Sequence, residues 1–207
     1  GLGDVYKRQV PPGLPHVDLL RLRDRLEPVE RARLDAIEDH LQTRVRPHLT
    51  RYWDAEEFAF DLLPGLAELG LGRLVLDGSS SLFQQLVHAE IARVDLSLSA
   101  LVGIHNELNL GMIAGLGSER QKATWQGRLE SFDALGAFCL TEPDHGSDIA
   151  GGLATTATRD GDEWVIRGAK RWIGAGTIAD VALVWARDTA DGEIKGFVCL
   201  LYTSDAA

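Results

Sequence analysis

The sequence has few of the residues that build cross-linked or metal-stabilised folds. Its 207 residues contain two cysteines and six histidines. There is no CxxC pair, and no histidine stands at metal-ligand spacing. These absences argue against a disulfide framework and a structural zinc site, and no metal is expected. Free thiols predict a reducing, cytoplasmic location. Cys139, inside an apolar run, is expected to be a buried and unreactive thiol.

Basic residues and uninterrupted apolar runs are also scarce. Lysine and arginine total 21 against 31 acidic residues, for a net charge of −10. This balance excludes a nucleic-acid partner, because phosphate binding needs clustered cations. The most apolar helical stretch, residues 96–116, contains His105, Asn106, Glu107 and Asn109. It is therefore predicted to be a buried helix, and no membrane association is expected.

Residues 28–129 show helical periodicity. Leu34, Ile37, Leu41, Val45 and Leu49 share one predicted helix face. Further helices are predicted from two apolar sets: Leu62, Leu63, Leu66 and Leu69, ended by Gly70, and Leu82, Leu86, Ala89 and Ile91, capped by one of the serines 79–81. Asp95 leads into the helix 96–116, and Gly117-Ser118 separates it from a helix over 119–129.

The pattern changes near residue 133, after which β-type runs predominate and no helix is expected. Two hairpins are predicted, across Asp160-Gly161 and Asp191-Gly192. The predicted fold is α+β: an α-helical domain over 28–132, then an incomplete antiparallel β-barrel domain over 133–200. Residues 1–27 are expected to be irregular. Residues 1–9 and 201–207 continue no neighbouring pattern and are expected to be non-native, so the chain is interpreted as a fragment.

Three interpretations based on short motifs are rejected, because the surrounding residues do not fit them. Residues 174–179 match GxGxxA, but a strand-like run follows them where a dinucleotide fingerprint needs a helix. Asp144, His145 and Asp148 lack a fourth donor for a metal. Ser147 and His145 are not a catalytic pair, because they are close neighbours on one loop with no nucleophile elbow.

The segment 138–148 (FCLTEPDHGSD) favours phosphate binding. Gly146 allows the backbone to approach an anion, and Ser147 adds a hydroxyl donor. A purely structural turn, capped by Ser147 or Asp148, is an equally good interpretation from the residues alone. Trp172, in the second segment KRWIG, is either core or a residue that packs against a planar ring.

Several segments together resemble the acyl-CoA dehydrogenases. They are residues 52–53 (YW), 89–95 (AEIARVD), 117–122 (GSERQK), 141–148 (TEPDHGSD) and 168–176 (GAKRWIGAG). The resemblance covers roughly residues 28–200. Within the family it is greatest to the glutaryl-CoA dehydrogenases and the short-chain acyl-CoA oxidases of plant peroxisomes.

The resemblance implies that FAD lies between the middle domain and a C-terminal helical bundle that is absent from this chain. Phe138, Leu140 and Thr141 would border the isoalloxazine, with Thr141 hydrogen-bonding its pyrimidine end. Gly146 and Ser147 would reach the pyrophosphate and the CoA side of the site.

The second segment completes the implied site. Trp172 and Ile173 would pack near the flavin, and Gly174 would face its reactive nitrogen. The implied enzyme desaturates an acyl-CoA thioester between its α and β carbons. A homotetramer and an electron-transfer flavoprotein as electron acceptor are also implied.

No catalytic residue is assigned, because the family's catalytic glutamate belongs to the C-terminal domain. Glu142 is part of the flavin loop. The 207-residue chain by itself is therefore expected to be inactive, and a non-catalytic fragment that binds flavin or CoA is an alternative.

Two departures from the family pattern bear on the activity. Gly174 stands where many dehydrogenases have Thr and the resembling oxidases have Gly. The missing hydroxyl is expected to leave space for oxygen, which makes an acyl-CoA oxidase an alternative. Ser99 and Gly103 align with the Arg and Ser that glutaryl-CoA enzymes use for the distal carboxylate. Ser99 is therefore a candidate substrate contact, and an uncharged short- or medium-chain acyl group is expected. The segment 74–80 is also shorter than in relatives.

Overall fold

A computed structural model describes residue 18 and residues 20–201. The expectations for residues 1–9 and 202–207 lie outside this range. Helices in the described part are α1 (Pro28–His40), α2 (Arg46–Ala55), α3 (Leu63–Glu68), α4 (Ser81–Val94), α5 (Leu96–Gly103), α6 (Gly111–Leu116), α7 (Glu119–Glu130) and α8 (Ile149–Gly152). Short 3-10 turns lie at Leu22–Arg25, Phe60–Leu62 and Leu71–Leu76. None of the helices described is long and apolar enough to cross a membrane.

Two of the predicted helices contain a π-helical segment. Leu41–Val45 joins α1 to α2, and Ile104–Leu110 joins α5 to α6. Single π-turns inside α-helices often occur at functional sites, because the extra residue redirects the side chains around it. The second of these segments matters for the site described below.

The first compact unit comprises the chain up to Glu57 together with Ser79–Ser99. The predicted face of the first helix is confirmed, since Leu34, Ile37, Leu41 and Val45 are fully buried; Leu49 is half-buried. The predicted stripe on α4 is largely wrong. That helix buries Phe83, Val87, Glu90 and Ile91, whereas Leu82 and Leu86 are half-buried and Ala89 is exposed.

Glu90 is the one charged residue on the buried face of α4. Its carboxylate accepts a hydrogen bond from Arg93 at 2.6 Å and lies 4.0 Å from the guanidinium of buried Arg23. Arg23 also pairs with Glu38 of α1 at 2.7 Å. An ionised side chain can be buried when it is paired in this way. Phe83, Val87 and Ile91 nevertheless follow the helical period, so the predicted stripe was placed one position away from the face that is buried.

The predicted helix boundaries are confirmed by their caps. Ser80 accepts a hydrogen bond from Phe83 N, and Asp95 accepts one from Leu98 N. Ser118 forms a capping box with Gln121, which satisfies backbone N–H groups at the start of α7. Gly70 follows α3 with a φ of 75°, a left-handed conformation that ends a helix.

The second compact unit comprises Phe58–Gly78 and the chain from Ala100 onward. Its sheet contains β1 (Gly136–Cys139), β2 (Thr156–Asp160), β3 (Glu163–Arg167), β4 (Val181–Asp188) and β5 (Ile194–Leu200). The strand order is β1-β4-β2-β3, and β5 also pairs with β4. Both predicted hairpins are confirmed as antiparallel pairs, with Gly161 and Gly192 at positive φ in their turns.

The sheet is mixed, so the prediction of a purely antiparallel arrangement is corrected. β4 pairs in parallel with β1, at Phe138 opposite Leu183, and with β2, at Thr156 opposite Arg187. Long connections separate these strands in sequence, which allows them to run in the same direction. The short helix α8 also contradicts the expectation of no helix after residue 133. Its final Gly151-Gly152 gives a weak helix signal.

The α+β class, with a helical part before a sheet, is confirmed. The second unit packs helices and sheet around Leu110, Ile113, Trp125, Leu129 and Val181. It thus includes helices that precede residue 133. The predicted boundary follows the change from helix to strand, whereas the two units follow packing, and the domain limits stay a prediction.

Replacing a glycine with alanine is predicted to have opposite effects on stability at two positions of the second unit. A Cβ on Gly72 would lie 2.3 Å from the backbone carbonyl oxygen of Glu130. Gly72→Ala should therefore destabilise the fold by about 1–3 kcal/mol. A Cβ on Gly127, inside α7, would meet nothing within 4 Å. Gly127→Ala should stabilise the fold by about 1 kcal/mol, because alanine favours the helix. Urea unfolding measures the change in stability of both variants. Equal changes would contradict the packing described around Gly72 and Gly127.

Candidate functional site

The two predicted binding segments meet in the second unit. The first follows β1 and the second follows β3. Arg171 N donates to the carbonyl oxygen of Thr141 at 2.9 Å, and Lys170 Nζ donates to that of Leu140 at 3.0 Å. Residues distant in sequence thus form one surface, as the motifs predicted.

Glu142 is the centre of this junction. Its side chain is buried, and one carboxylate oxygen accepts hydrogen bonds from Lys170 Nζ and Thr155 N, both at 2.8 Å. The other oxygen accepts one from Ala154 N at 2.6 Å. Each of the three donors belongs to a chain segment that follows the loop, so Glu142 joins the first loop to both sides of the β2–β3 hairpin.

The surroundings of Glu142 keep it ionised. Burial raises the pKa of a carboxyl group, but the hydrogen bonds from Lys170 and from the backbone N–H groups outweigh burial here. They lower the pKa of Glu142 from 4.5 to about 2. A carboxylate with so low a pKa and both oxygens occupied is a poor proton acceptor. The structure thus agrees with excluding Glu142 as the catalytic base.

The turn after Pro143 is closed by its own residues. Glu142 N donates to the carbonyl oxygen of His145 at 2.9 Å, and Gly146 N donates to Asp148 Oδ1 at 3.0 Å. Asp148 therefore supplies the structural cap. Gly146 and Ser147 stay exposed, and a Cβ on Gly146 would meet nothing within 4 Å. A capped turn and an open approach for an anion coexist in this loop.

His145 and Asp148 form an ion pair beside that approach. His145 Nδ1 lies 2.7 Å from Asp148 Oδ2. The hydrogen bond that His145 donates to the Asp148 carboxylate raises the pKa of His145 and lowers the pKa of Asp148. No group of metal-ligating side chains suited to an ion occurs among the described residues. That Asp144, His145 and Asp148 bind no metal stays a prediction.

Trp172 is not a core residue, which removes one of its two interpretations. Its side chain is 80% exposed, and the Arg171 guanidinium lies 4.6 Å from the ring centroid. The backbone of Trp172 has a φ of 61°, as does that of Ala175. A left-handed conformation is unusual for a bulky residue and costs free energy, and such strain concentrates at binding sites. Ile173, between these residues, is half-buried.

The space beside Gly174 is filled, which corrects the expectation of an opening for oxygen. A Cβ on Gly174 would lie 2.3 Å from Cδ1 of Ile104. Ile104 begins the π-helical segment Ile104–Leu110 and occupies the volume that a side chain at position 174 would take. The rejection of a dinucleotide fingerprint over 174–179 is confirmed, since these residues form turns that lead into β4.

The other predicted residues differ in accessibility. Phe138, Leu140 and Thr141 are half-buried, and the Phe138 ring lies 5.9 Å from that of Trp185. Cys139 is half-buried and not fully buried as predicted, and this burial raises the pKa of its thiol. Its lack of reactivity stays a prediction. Ser99 belongs to the first compact unit, and its hydroxyl donates to the carbonyl oxygen of His88 at 3.1 Å. Its role in substrate binding stays a prediction.

Sequence reasoning missed three residues that shape this surface. Glu142 and Lys170 stand inside the motifs, but nothing in the sequence pairs them across the intervening hairpin. Ile104 stands in an apolar helix pattern that predicted only a core position. No signal in the sequence singles out this pair, because Asp144 and Asp148 stand in the same segment as Glu142 and Arg171 stands next to Lys170.

The residues present fit a flat cofactor that carries phosphate. Trp172 offers an exposed aromatic face, and Gly146 and Ser147 offer open backbone and a hydroxyl. The Thr141 hydroxyl, half-buried, makes no hydrogen bond within the part of the chain that the structure describes. It is therefore available to a ligand. FAD has the ring and the pyrophosphate that these groups would accommodate.

Replacing Glu142 with glutamine should destabilise the protein in a pH-dependent way. At pH 6, Glu142→Gln should cost about 3–5 kcal/mol, because it leaves Lys170 charged and without its counterion. The depressed pKa of Glu142 stabilises the wild type above pH 4.5, and this contribution disappears as the pH falls to about 2. The difference between the two proteins should therefore shrink on acidification over that interval.

Denaturant unfolding between pH 2 and 6 makes this measurement. Glu119→Gln is the matched control, because Glu119 pairs with Lys122 at 3.3 Å while its side chain is 93% exposed. That variant should change stability by less than about 0.5 kcal/mol. Equal losses in both variants, or a Glu142 effect independent of pH, would argue against the buried ion pair.

Asp148→Asn should lower the pKa of His145, because the amide removes the negative charge that stabilises the imidazolium. NMR titration of the histidine ring resonances measures the change, with His145→Gln to assign the signal. Asp162→Asn, at an exposed position in the β2–β3 turn, is the control and should leave the titration unchanged. An unaltered His145 pKa in Asp148→Asn would exclude the ion pair in solution.

Comparison with protein families yields two matches in the expected order. A model described as "Acyl-CoA dehydrogenase, N-terminal domain" matches residues 27–133. A second, described as "Acyl-CoA dehydrogenase, middle domain", matches residues 137–207. The two matches meet where the sequence changes from helical to β-type periodicity.

Two proteins of similar sequence are acyl-CoA dehydrogenases by name. Mitochondrial isobutyryl-CoA dehydrogenase of Dictyostelium discoideum is 36% identical over 174 residues, covering 81% of this chain and 41% of that protein. Human mitochondrial short-chain specific acyl-CoA dehydrogenase is 36% identical over 140 residues, covering 64% of this chain and 34% of that protein.

Solved structures agree with these relatives. A crystal structure of glutaryl-CoA dehydrogenase from Mycobacterium smegmatis superposes with a TM-score of 0.80 at 38% identity, over 88% of this chain and 48% of that one. A second, in complex with FADH2, has a TM-score of 0.79 at 34% identity, over 88% and 47%. The chain thus spans less than half the length of each of these proteins. It belongs to the acyl-CoA dehydrogenase family, of which it carries the N-terminal and middle domains.

Proposed function

We propose that the complete protein binds FAD and introduces a double bond between the α and β carbons of an acyl-CoA thioester. The observation that carries the proposal is the junction of the two loops through Glu142 and Lys170. One loop has an open turn at Gly146 and Ser147, and the other has an exposed, strained Trp172. The names of the relatives support it, since each describes a dehydrogenase of an acyl-CoA.

Each residue of the surface has a proposed task. Thr141 hydrogen-bonds the flavin ring, and Phe138 and Leu140 border it. Gly146 and Ser147 contact phosphate and the CoA side, while Trp172 and Ile173 pack against the ring. When bound, FAD supplies the two-electron acceptor for the β-hydrogen. The chain's contribution is to fix ring and thioester in one geometry and to exclude water around them.

The proposed reaction needs a base for the α-proton, and no residue of this chain is assigned that role. Glu142 is unsuitable because its oxygens already accept three hydrogen bonds and its pKa is about 2. We propose that a carboxylate outside the 207 residues takes this proton. The chain alone would then bind cofactor and substrate without turnover.

The proposed substrate is an uncharged short- or medium-chain acyl-CoA. Ser99 and Gly103 stand where a glutaryl group would need a cation, and neither supplies one. A buried distal carboxylate without a cationic partner would be costly. We further propose an electron-transfer flavoprotein as acceptor, a homotetrameric assembly and a cytoplasmic location.

The test uses the protein expressed from its complete gene. Butyryl-CoA is added without oxygen while the flavin absorbance is recorded, and air is then admitted. The proposal expects bleaching that persists in air. Rapid recovery with peroxide release would favour the oxidase, and a protein that binds no FAD would overturn both activities. Glutaryl-CoA serves as the comparison substrate, and faster turnover of it than of butyryl-CoA would refute the assigned substrate class.

Trp172→Ala should weaken FAD binding by about tenfold or more, because the ring loses a stacking face. Titration of flavin fluorescence measures the dissociation constant. Trp53→Ala is the control: Trp53 is also exposed, at 66%, but lies in the first compact unit, where it donates to Asp95. Its loss should leave FAD affinity unchanged. Equal affinity of the Trp172 variant and the parent would remove Trp172 from the site.

A further inference from the structure

The π-helical segment Ile104–Leu110 buries three polar side chains in the second unit. They are His105, Asn106 and Asn109, each at most 1% exposed. Asn106 is fully bonded: its Nδ2 donates to two backbone carbonyl oxygens, at 2.7 and 3.0 Å, and its Oδ1 accepts from a backbone N–H at 3.3 Å. His105 and Asn109 each have one polar atom to which no described residue bonds. Such atoms are rare in protein cores and require an explanation.

The proton of His105 is on Nε2. This atom lies 2.7 Å from the carbonyl oxygen of Leu129, and Nε2 must donate because a carbonyl oxygen can only accept. Burial lowers the pKa of His105, so the ring is neutral at pH 7 and carries no second proton. Its Nδ1 therefore presents a lone pair, and within the described part of the chain nothing donates to it.

The orientation of the Asn109 amide is fixed by a similar contact. Its nitrogen lies 3.0 Å from the carbonyl oxygen of Ile104, and a reversed amide would place two oxygens against each other. Oδ1 is therefore an acceptor, and it has no donor among the residues that the structure describes. Gly136 of β1 leaves room for this oxygen, because a Cβ there would lie 2.8 Å from Oδ1 and 2.5 Å from Cγ.

The two lone pairs belong to neighbouring side chains. His105 and Asn109 are four positions apart, a spacing that brings side chains together on a helix surface. They cannot satisfy one another, because both atoms accept, and a buried acceptor without a donor costs free energy. A group that satisfies both must carry two donor hydrogens and fit into a closed core. It must also be uncharged, because an ion would need further ligands or a counter-charge. Water meets these three conditions.

We infer that His105 and Asn109 form an internal water site, in which one buried water molecule donates a hydrogen bond to His105 Nδ1 and another to Asn109 Oδ1. Buried waters typically bond to polar groups that the chain leaves unsatisfied. His105 is bonded to the last turn of α7 at Leu129, and Asn109 packs on β1 at Gly136. The water thus completes a polar connection between α7, the π-helical segment and β1. Neither side chain has a task in the proposed flavin site, so the water site is independent of the proposed function.

A crystal structure of the complete protein, at a resolution that shows ordered waters, tests the site without any substitution. An electron-density peak is expected at about 2.6–3.2 Å from both His105 Nδ1 and Asn109 Oδ1. A peak that contacts only one of these atoms would overturn the shared site. An empty position, or a protein N–H or O–H group that donates to either atom, would also overturn it.

Magnetic relaxation dispersion of water oxygen nuclei counts long-lived internal waters in solution. His105→Phe keeps an aromatic ring against Phe132 but removes Nδ1, and Asn109→Leu keeps most of the side-chain volume but removes Oδ1. Each variant of the complete protein should lose about one long-lived water per subunit, and the double variant should lose the same water and not two. Asn106→Leu is the matched control. It should leave the count unchanged, because the Asn106 amide bonds only to backbone groups.

Circular dichroism first establishes that each variant is folded. Unchanged counts in both His105→Phe and Asn109→Leu would refute the water site. A double variant that loses two waters would refute the sharing of one molecule. If a variant does not fold, the crystal structure of the unmodified protein decides.

Discussion

The surface described here depends on the buried ion pair between Glu142 and Lys170. A loop that carries exposed glycine and serine has little packing of its own to hold it. Three charge-assisted or backbone hydrogen bonds to one carboxylate replace that packing, and the lysine also fixes the carbonyl of Leu140. Removing either partner would leave an uncompensated charge in a site nearly closed to water. The interaction that fixes the geometry of the loop is therefore also one that stabilises the fold. The same bonds that lower the pKa of Glu142 prevent it from acting as a base, which confines its role to positioning.

Near this pair, two residues have a conformation or a contact that packing alone does not explain. Trp172 is bulky, exposed and left-handed, while Gly174 accommodates a side chain contributed by a π-helical segment more than sixty residues earlier in the sequence. Strain and exposure of this kind lower stability unless a ligand recovers the cost, which makes them informative about function. The helices of the second unit thus have a direct part in the site, since Ile104 reaches it from one of them.

Much of this arrangement could be predicted from sequence because local physics determines it. Caps at Ser80, Asp95 and Ser118, and both hairpin turns, depend on residues within a few positions of one another. The roles of the motif residues come from the resemblance to a family and stay predictions. The strand directions could not be predicted, since parallel pairing of β1 with β4 depends on long connections. Burial of Glu90 and the bond between Glu142 and Lys170 depend on partners distant in sequence, and periodicity carries no signal for them. The filled space at Gly174 was mispredicted for the same reason. The sequence shows that Gly174 has no side chain, but it does not show which residue packs beside it.

The central claim is that the Glu142–Lys170 pair preorganises a flavin-binding surface. The most direct measurement is the FAD dissociation constant of the Glu142→Gln variant of the complete protein. It is made without denaturant, at a temperature and pH where circular dichroism shows that the variant is folded. Glu119→Gln serves as the parallel control. The account predicts that Glu142→Gln binds FAD at least about tenfold more weakly, while Glu119→Gln binds it like the parent. An unchanged FAD affinity in folded Glu142→Gln would contradict the claim and reduce the ion pair to a contributor to stability.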